Sequence, residues 1–211
     1  SAGAAIMSEP MIGAGNSMGA LKHGVVINYK GEDFPEGDGV LLTHGLGFFP
    51  LGMVDQHFNT RARLARLIVA MMNDTKKEPL AFGVDENTAL IYIGKQKILK
   101  VAGAAGVTVV KTSDAKISHI KKQLKIENIG ISYMQDGDVY EIGTGKIIPA
   151  TGKTNLKGKE YNNISNPAQA GMFSGTASNF LNLITTSLMD NKAVDKVTNL
   201  NFTGKDSGFM V

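Results

Sequence analysis

The sequence predicts an α/β fold, and three observations support that prediction. Apolar residues between Thr60 and Asn73 recur with the period of an amphipathic helix. Between residues 81 and 110, short runs rich in β-branched residues alternate with turn residues, which is typical of strands. The chain has 211 residues, of which 43% are hydrophobic, and it is therefore long enough to bury one substantial core.

The first predicted element is a short helix, and loops follow it. The Ala-rich stretch Ala2–Met7 favours a helix that Pro10 ends, so Ser1 would lie at its N-terminus. Residues 13–39 are dominated by Gly, Asn and Pro around one apolar run at Val25–Ile27, which indicates a loop region that carries a strand or a hairpin.

The middle of the chain gives the clearest periodic signals. A short buried strand is predicted at Val40–Leu42, and a glycine-rich irregular loop follows over residues 43–55. The next helix places its apolar side chains on one face, at Leu64, Leu67, Ile68, Met71 and Met72. Four strands are then predicted, at residues 81–84, 88–93, 98–101 and 107–110.

The periodic pattern weakens beyond Ser132. Loop signals dominate there, and only Ser178–Met189 is predicted to be helical. We therefore predict a main α/β domain over residues 1–157 and a C-terminal extension of unknown role over residues 158–211.

Composition excludes several classes of function. The chain has no Cys, which rules out disulfides, thiolate nucleophiles and Cys-ligated metals. No apolar run approaches the roughly 18 to 20 residues that would span a bilayer. The formal charge of +3 is spread over many Lys residues rather than gathered into a run. We expect no cofactor, no nucleic-acid partner and no membrane partner, and the compartment, cytoplasmic or secreted, stays open.

A serine followed by small residues at a helix start is typical of a nucleophile turn. In Ser1-Ala2-Gly3-Ala4, the small neighbours would leave the Ser1 Oγ exposed. The backbone N–H of Ala2 would point to the place where a tetrahedral oxyanion forms. A serine that only caps an Ala-rich helix shows the same pattern, so this motif alone leaves both interpretations open.

The candidate base for such a serine is His57, which lies at the start of the amphipathic helix. His44, before the glycine-rich loop, is the second candidate. Arg63 and Arg66 follow His57 and lie one turn apart, where they would bind a substrate carboxylate or form a solvated basic face.

The turn Asp85-Glu86-Asn87-Thr88 places carboxylates between two predicted strands. They would orient a histidine or only form a turn, and the spacing does not distinguish these two roles.

Four ordered blocks of this sequence resemble the cyanophycinase family of serine peptidases. They are residues 1–8, residues 45–50, Asp55-Gln56-His57-Phe58 with Arg61, Arg63 and Arg66, and residues 83–89. The resemblance extends to about residue 112.

The resemblance implies a class I glutamine amidotransferase-like fold, which is a flavodoxin-like sandwich around a parallel sheet. An upstream chain would complete that fold here, and the C-terminal portion would be β-rich. The implied activity is hydrolysis of the β-Asp-Arg links of cyanophycin or of related β-aspartyl peptides, through an acyl-enzyme. By position, Ser1 would be the nucleophile, His57 the general base and Ala2 an oxyanion donor. The implied substrate-binding residues are Asp55, Gln56, Arg61 and Arg66.

The acid that orients His57 is not assigned by the resemblance. Glu32, Glu36 and Asp38 lie between the serine and histidine blocks, and we take Glu32 as the candidate. A Ser–His dyad without a third member is the alternative.

Because the chain opens at the candidate nucleophile, we hypothesise autoproteolysis before Ser1. The expected partners are the upstream N-terminal chain of the same precursor and a peptide or polymer substrate, with a homodimer of the two-chain unit left open. After cleavage, the α-amine of Ser1 could act as a base beside its own hydroxyl. There are two alternative functions. One is an Asp-specific dipeptidase of the same fold, and the other is a non-catalytic, self-cleaved binding or assembly module.

Overall fold

The computed structural model describes residues 1–73, 79–120, 123–167, 179–196, 200–204 and 207–210. The fold is mixed α/β, with few helices and several small sheets, which confirms the predicted class. The chain divides into two compact units, residues 1–58 with 63–151 and residues 59–62 with 152–211. None of the helices in these described ranges is both long and apolar enough to cross a membrane.

The first unit opens with a three-stranded sheet and two helices. The elements are α1 (Ala2–Ala5), β1 (Met11–Gly15), α2 (Ser17–His23), β2 (Val25–Ile27) and β3 (Val40–Thr43). The order is β1-β3-β2, with β1 antiparallel and β2 parallel to β3.

The sequence did not predict β1 or α2, because their glycines resemble loop residues. Gly19 lies inside α2, where a Cβ would come within 2.9 Å of the Gly37 carbonyl. Close backbone approach, rather than a turn, therefore explains this glycine. The helix begins at Asn16, whose side chain accepts a hydrogen bond from the Gly19 N–H at 2.8 Å.

The rest of the first unit is rich in strands. Its elements are β4 (Met53–Gln56), α3 (Leu64–Met72), β5 (Leu80–Val84), β6 (Thr88–Ile93), β7 (Ile98–Gly103), β8 (Gly106–Lys111), β9 (Lys116–Ile120), β10 (Gln123–Glu127), β11 (Gly130–Gln135), β12 (Val139–Glu141) and β13 (Lys146–Ile148). One sheet has the order β11-β8-β5-β4, another has the order β13-β12-β7-β6, and β9 and β10 form an antiparallel pair. The predicted α3 and β5–β8 are confirmed, whereas β4 was predicted as loop and the strands after β8 were not predicted.

The two four-stranded sheets share one core. Its buried side chains include Phe82, Leu99, Val101, Val107 and Met134. Among the described strand pairs, β2–β3 and β4–β5 are parallel and the others are antiparallel. The parallel-sheet sandwich that the resemblance implies therefore stays a prediction.

The described part of the second unit buries both apolar and polar side chains, among them Phe180, Leu183 and Asn191. It contains α4 (Asn179–Asn182), a π-helical segment (Leu183–Met189), and the antiparallel pair β14 (Leu200–Gly204) and β15 (Ser207–Met210). The buried Asn191 amide donates to the carbonyls of Ile164 and Ser187. The predicted helix Ser178–Met189 is helical from Asn179, and Ser178 lies outside the described residues.

Candidate active site

The candidate site lies where two neighbouring parallel strands end. Strand β4 pairs in parallel with β5, with Gln56 opposite Val84. His57 follows β4 directly, and Glu86 follows β5 after one intervening residue. Because parallel strands end at the same edge of a sheet, residues far apart in the sequence meet there.

His57 and Glu86 form a hydrogen-bonded pair. The Nδ1 atom of His57 lies 2.8 Å from Oε1 of Glu86, and the two side chains are 26% and 36% exposed. The segment at residues 85–88 both forms a turn and supplies a carboxylate that contacts a histidine. Since Nδ1 is engaged, Nε2 is the ring nitrogen that can exchange a proton with a reacting group.

The backbone at His57 turns sharply away from β4. Its φ angle of 46° lies in the left-handed region, which a non-glycine residue adopts only when its surroundings hold it there. The next residue, Phe58, is fully buried, and its ring packs against Gly83 so closely that a Cβ at that position would overlap it. The Phe58 N–H donates to the Val84 carbonyl at 3.3 Å, which fixes the turn onto β5.

Asp55 and Arg66 form a buried ion pair beneath this turn. The Nε and Nη2 atoms of Arg66 donate to the two carboxylate oxygens of Asp55 at 2.8 and 2.5 Å. The third donor, Nη1, binds the Gly15 carbonyl at the end of β1, also at 2.5 Å. Asp55 is 0% and Arg66 3% exposed, so both charged groups are removed from water and engaged inside the protein.

The main chain of the turn is held by two further contacts. Nη1 of Arg63 donates to the Gln56 carbonyl at 2.7 Å. The Gln56 N–H in turn donates to Oδ1 of Asp55 at 2.8 Å. The two residues before His57 are therefore tied to the α3 region through Arg63 and Arg66.

The turn that carries Glu86 is anchored from β11 and from within the turn. The Tyr133 hydroxyl donates to Oδ2 of Asp85 at 2.9 Å. Burial, the negative charge of Asp85 and this hydrogen bond together raise the pKa of Tyr133 above its ordinary value. The Thr88 hydroxyl donates to the Glu86 carbonyl at 2.9 Å, so both sides of the turn are fixed.

Ser1 is exposed and forms the N-cap position of α1, without a side-chain capping hydrogen bond. The helix it begins packs against β4, the strand that leads to His57. Ala2 lies in the first turn of α1, and its carbonyl accepts the Ile6 N–H at 3.0 Å. The structure therefore places the helix of the candidate nucleophile beside the strand of the candidate base.

The other candidates from the sequence lie elsewhere or have different partners. Glu32 is exposed in the segment between β2 and β3. His44 has a side chain that is 91% exposed and lies 2.8 Å from a carboxylate oxygen of Glu9. Arg61 is an exposed residue of the second unit.

Gln56 has an unsatisfied buried acceptor. Within the described part of the chain, its Oε1 atom is the buried side-chain polar atom that lacks a hydrogen-bond partner. Buried polar atoms are nearly always paired, so an unpaired one beside His57 favours a ligand contact.

Sequence reasoning could not select Glu86 as the partner of His57. The signal would have been two consecutive strands in parallel, one ending at Gln56 just before His57 and the other at Val84, two residues before Glu86. The segment that forms β4 was predicted as loop, because a buried Asp55 is atypical of a core strand.

The fold and this pair define an α/β protein with a histidine–carboxylate site. A scan against protein-family models finds no match. The chain is 34% identical to a cyanophycinase of Synechococcus elongatus over 152 residues, which is 70% of this chain and 42% of that protein. Identity to a cyanophycinase of Geminocystis herdmanii is 33% over 146 residues, and to one of Trichormus variabilis 30% over 155 residues.

The chain belongs to a cyanophycinase-like family, as the resemblance of its motifs indicated. It spans less than half the length of these relatives, from 42 to 47%.

Proposed function

We propose that this chain carries the nucleophile and the base of a serine-type peptidase that degrades cyanophycin or related β-aspartyl peptides. The observation that carries the proposal is the His57–Glu86 pair, at the end of the strand against which the Ser1 helix packs. Similarity to the cyanophycinases supports the substrate class.

In the proposed mechanism, Ser1 Oγ attacks the carbonyl of the scissile amide while Nε2 of His57 takes the hydroxyl proton. The Ala2 N–H stabilises the negative charge that develops on the carbonyl oxygen. His57 gives the proton to the departing amine as the C–N bond breaks, which leaves an ester on Ser1. Water then attacks the ester with His57 again as base, and the acid product and the Ser1 hydroxyl are released.

Glu86 takes the orienting role for which the sequence suggested Glu32. Its carboxylate holds the Nδ1 side of the ring, so Nε2 is directed toward the reacting groups. The same carboxylate stabilises the imidazolium that forms when His57 takes the proton.

Gln56 is the proposed substrate contact in the first unit, and the substrate contact predicted for Arg61 stays a prediction. The unpaired Oε1 of Gln56 can accept a hydrogen bond from an amide or guanidinium group of the substrate. Arg61 can bind a free carboxylate through its planar fork of donors. The substrate contacts predicted for Asp55 and Arg66 stay predictions. We propose that this pair also supports the His57 turn, because the two charged groups engage each other.

The bond that is cleaved can be identified from the products. Hydrolysis of the β-Asp-Arg side link liberates free arginine, whereas hydrolysis of the aspartate main chain liberates the β-Asp-Arg dipeptide. Quantifying both products against time identifies which of the two bonds is cleaved, and release of neither product would contradict activity on cyanophycin.

The complete enzyme is proposed to adopt the class I glutamine amidotransferase-like fold together with an upstream chain of the same precursor. Autoproteolysis before Ser1 stays a prediction. The intact mass of a Ser1→Ala precursor tests it, because cleavage that persists in this variant would exclude self-processing through the Ser1 hydroxyl.

Covalent labelling tests the proposal against a non-catalytic assembly module. Protein expressed from the complete gene is treated with a fluorophosphonate, and the labelled peptide is identified by mass spectrometry. We expect labelling at Ser1 that Ser1→Ala abolishes and His57→Ala slows strongly. Absence of labelling in the wild type would contradict a serine-type enzyme. Activity on small Asp-containing dipeptides without activity on the polymer would favour the dipeptidase alternative.

A further inference from the structure

The segment between α1 and β1 contains a buried hydroxyl that the proposed mechanism does not use. Ser8 is 0% exposed. Its Oγ accepts a hydrogen bond from the Val54 N–H at 3.0 Å. The hydroxyl proton is directed to the carbonyls of Ala5 and Pro10, at 3.2 and 3.1 Å. One side chain therefore joins the end of α1 and the start of β1 to the backbone of β4.

The position of this contact along β4 relates it to the site. One edge of β4 pairs with β5, and Val54 directs its N–H to Ser8 at the other edge. Val54 lies three residues before His57, whose turn the buried Asp55–Arg66 pair holds. A displacement of the Val54 backbone should therefore also displace His57, because only the end of β4 and the held turn separate the two residues.

Ser8 is itself held firmly in place on its other side. The Leu46 and Phe49 N–H groups donate to the carbonyls of Ile6 and Met7, both at 2.7 Å. Gly45 approaches the Ser8 carbonyl so closely that a Cβ at that position would overlap it. The hydroxyl consequently has little freedom to move, and its contact with Val54 sets the separation of α1 from β4.

We propose that Ser8 is a positioning residue that fixes the distance between the Ser1 helix and the His57 strand. This inference rests on the proposed roles of Ser1 and His57. A misplacement of about 1 Å between reacting groups is enough to slow an enzyme about 100-fold, so a contact of this kind affects turnover more than binding.

The test compares Ser8→Ala with a control of similar cost to stability. Ser8→Ala removes the hydroxyl and leaves the Val54 N–H without its partner. Val101→Ala removes core volume from β7, a strand of the other sheet, and lowers stability while it leaves the Ser8 hydroxyl and its hydrogen bond to Val54 in place. Both are made in protein expressed from the complete gene, and kcat and KM for product release from cyanophycin are measured.

We expect Ser8→Ala to lower kcat about 10- to 100-fold with KM within about twofold. Val101→Ala should keep kcat within about twofold, measured well below its unfolding midpoint. Ser8→Cys, which retains a weak donor and acceptor of similar shape, should recover part of the lost kcat. Equal loss in Ser8→Ala and Val101→Ala, or unchanged kcat in Ser8→Ala, would overturn the inference.

Two further measurements separate this inference from the proposed function. The rate at which a fluorophosphonate labels Ser1 should fall in Ser8→Ala, whatever the natural substrate. Amide hydrogen exchange at Val54 should be faster in Ser8→Ala, and unchanged exchange would show that the contact is not formed. A wild type that is neither labelled at Ser1 nor active would overturn the proposed function, and the positioning role would fall with it.

Discussion

The base side and the nucleophile side of the candidate site are built in different ways. On the base side, His57 follows strand β4, whose Asp55 is paired with the buried Arg66. The His57 ring pairs directly with Glu86. On the nucleophile side, Ser1 is exposed at the start of the four-residue helix α1. That helix is held by main-chain contacts of Ile6 and Met7 and by the Ser8 hydroxyl.

This difference shows where the site is vulnerable. The proposed base is preorganised by several mutually supporting contacts, so its geometry should fail only when a buried group or the imidazole itself is removed. The proposed nucleophile depends on fewer contacts, so its position should respond to the loss of a single hydrogen bond.

The largest expected effect is that of His57→Ala. Removing the base should lower kcat by about 10⁴-fold or more, because residues of a catalytic group act as a unit. The steady-state rate of product release from cyanophycin measures this effect. His44→Ala is the matched control, since this exposed imidazole also pairs with a glutamate, and its kcat should stay within about twofold of the wild type. Similar losses in the two variants would contradict the assignment of the base.

Breaking the Asp55–Arg66 pair should have the next largest effect, on folding. Asp55→Asn leaves the Arg66 charge buried without its partner and should cost about 3–5 kcal/mol of unfolding free energy. Urea unfolding followed by circular dichroism measures this change. Arg61→Gln, at an exposed arginine of the same block, should change the unfolding free energy by no more than about 0.5 kcal/mol. A small effect of Asp55→Asn would show that the pair does not support the turn.

Glu86→Gln should lower kcat by about 100-fold, at the lower end of the usual contribution of general acid–base catalysis. The effect is moderate because Glu86 is partly exposed and water screens its charge. Glu32→Gln is the control, and the pH dependence of kcat/KM is recorded for both variants. If the loss occurred in Glu32→Gln instead, the orienting acid would be the residue that the sequence suggested.

The smallest effect is expected for Tyr133→Phe, which removes one hydrogen bond to Asp85 at a cost of about 1 kcal/mol. Because the fold raises the pKa of Tyr133, the unfolded chain loses this proton more readily above pH of about 10. The stabilisation is therefore complete below that pH and is lost as the pH rises further. Urea unfolding measured between about pH 8 and 11 should show that the free energy of unfolding falls less with rising pH in Tyr133→Phe than in the wild type. Parallel declines would contradict the role of the hydroxyl.

The fold could be predicted from the sequence where an element carries a clear hydrophobic pattern. Helix α3 and strands β5–β8 follow simple hydrophobic patterns, and all of them are confirmed. Strand β4 was not predicted because it carries Asp55, which the fold buries against Arg66. A local pattern cannot show that a charge will find its partner eleven residues away.

The same limit applies to the site. His57 was identified from its neighbours in the sequence, whereas its pairing with Glu86 depends on two strands lying in parallel. The contact of Ser8 with Val54 joins residues 46 positions apart. The sequence does not predict it, because a local pattern does not distinguish a buried serine from one in an exposed loop.

The most direct test of the central claim is hydrolysis of purified cyanophycin by protein expressed from the complete gene. Free arginine and β-Asp-Arg dipeptide are quantified for the wild type, Ser1→Ala and His57→Ala, with His44→Ala as control. The account predicts product from the wild type and the control, and none above background from the other two variants. Product from Ser1→Ala at the wild-type rate, or no product from the wild type, would contradict it.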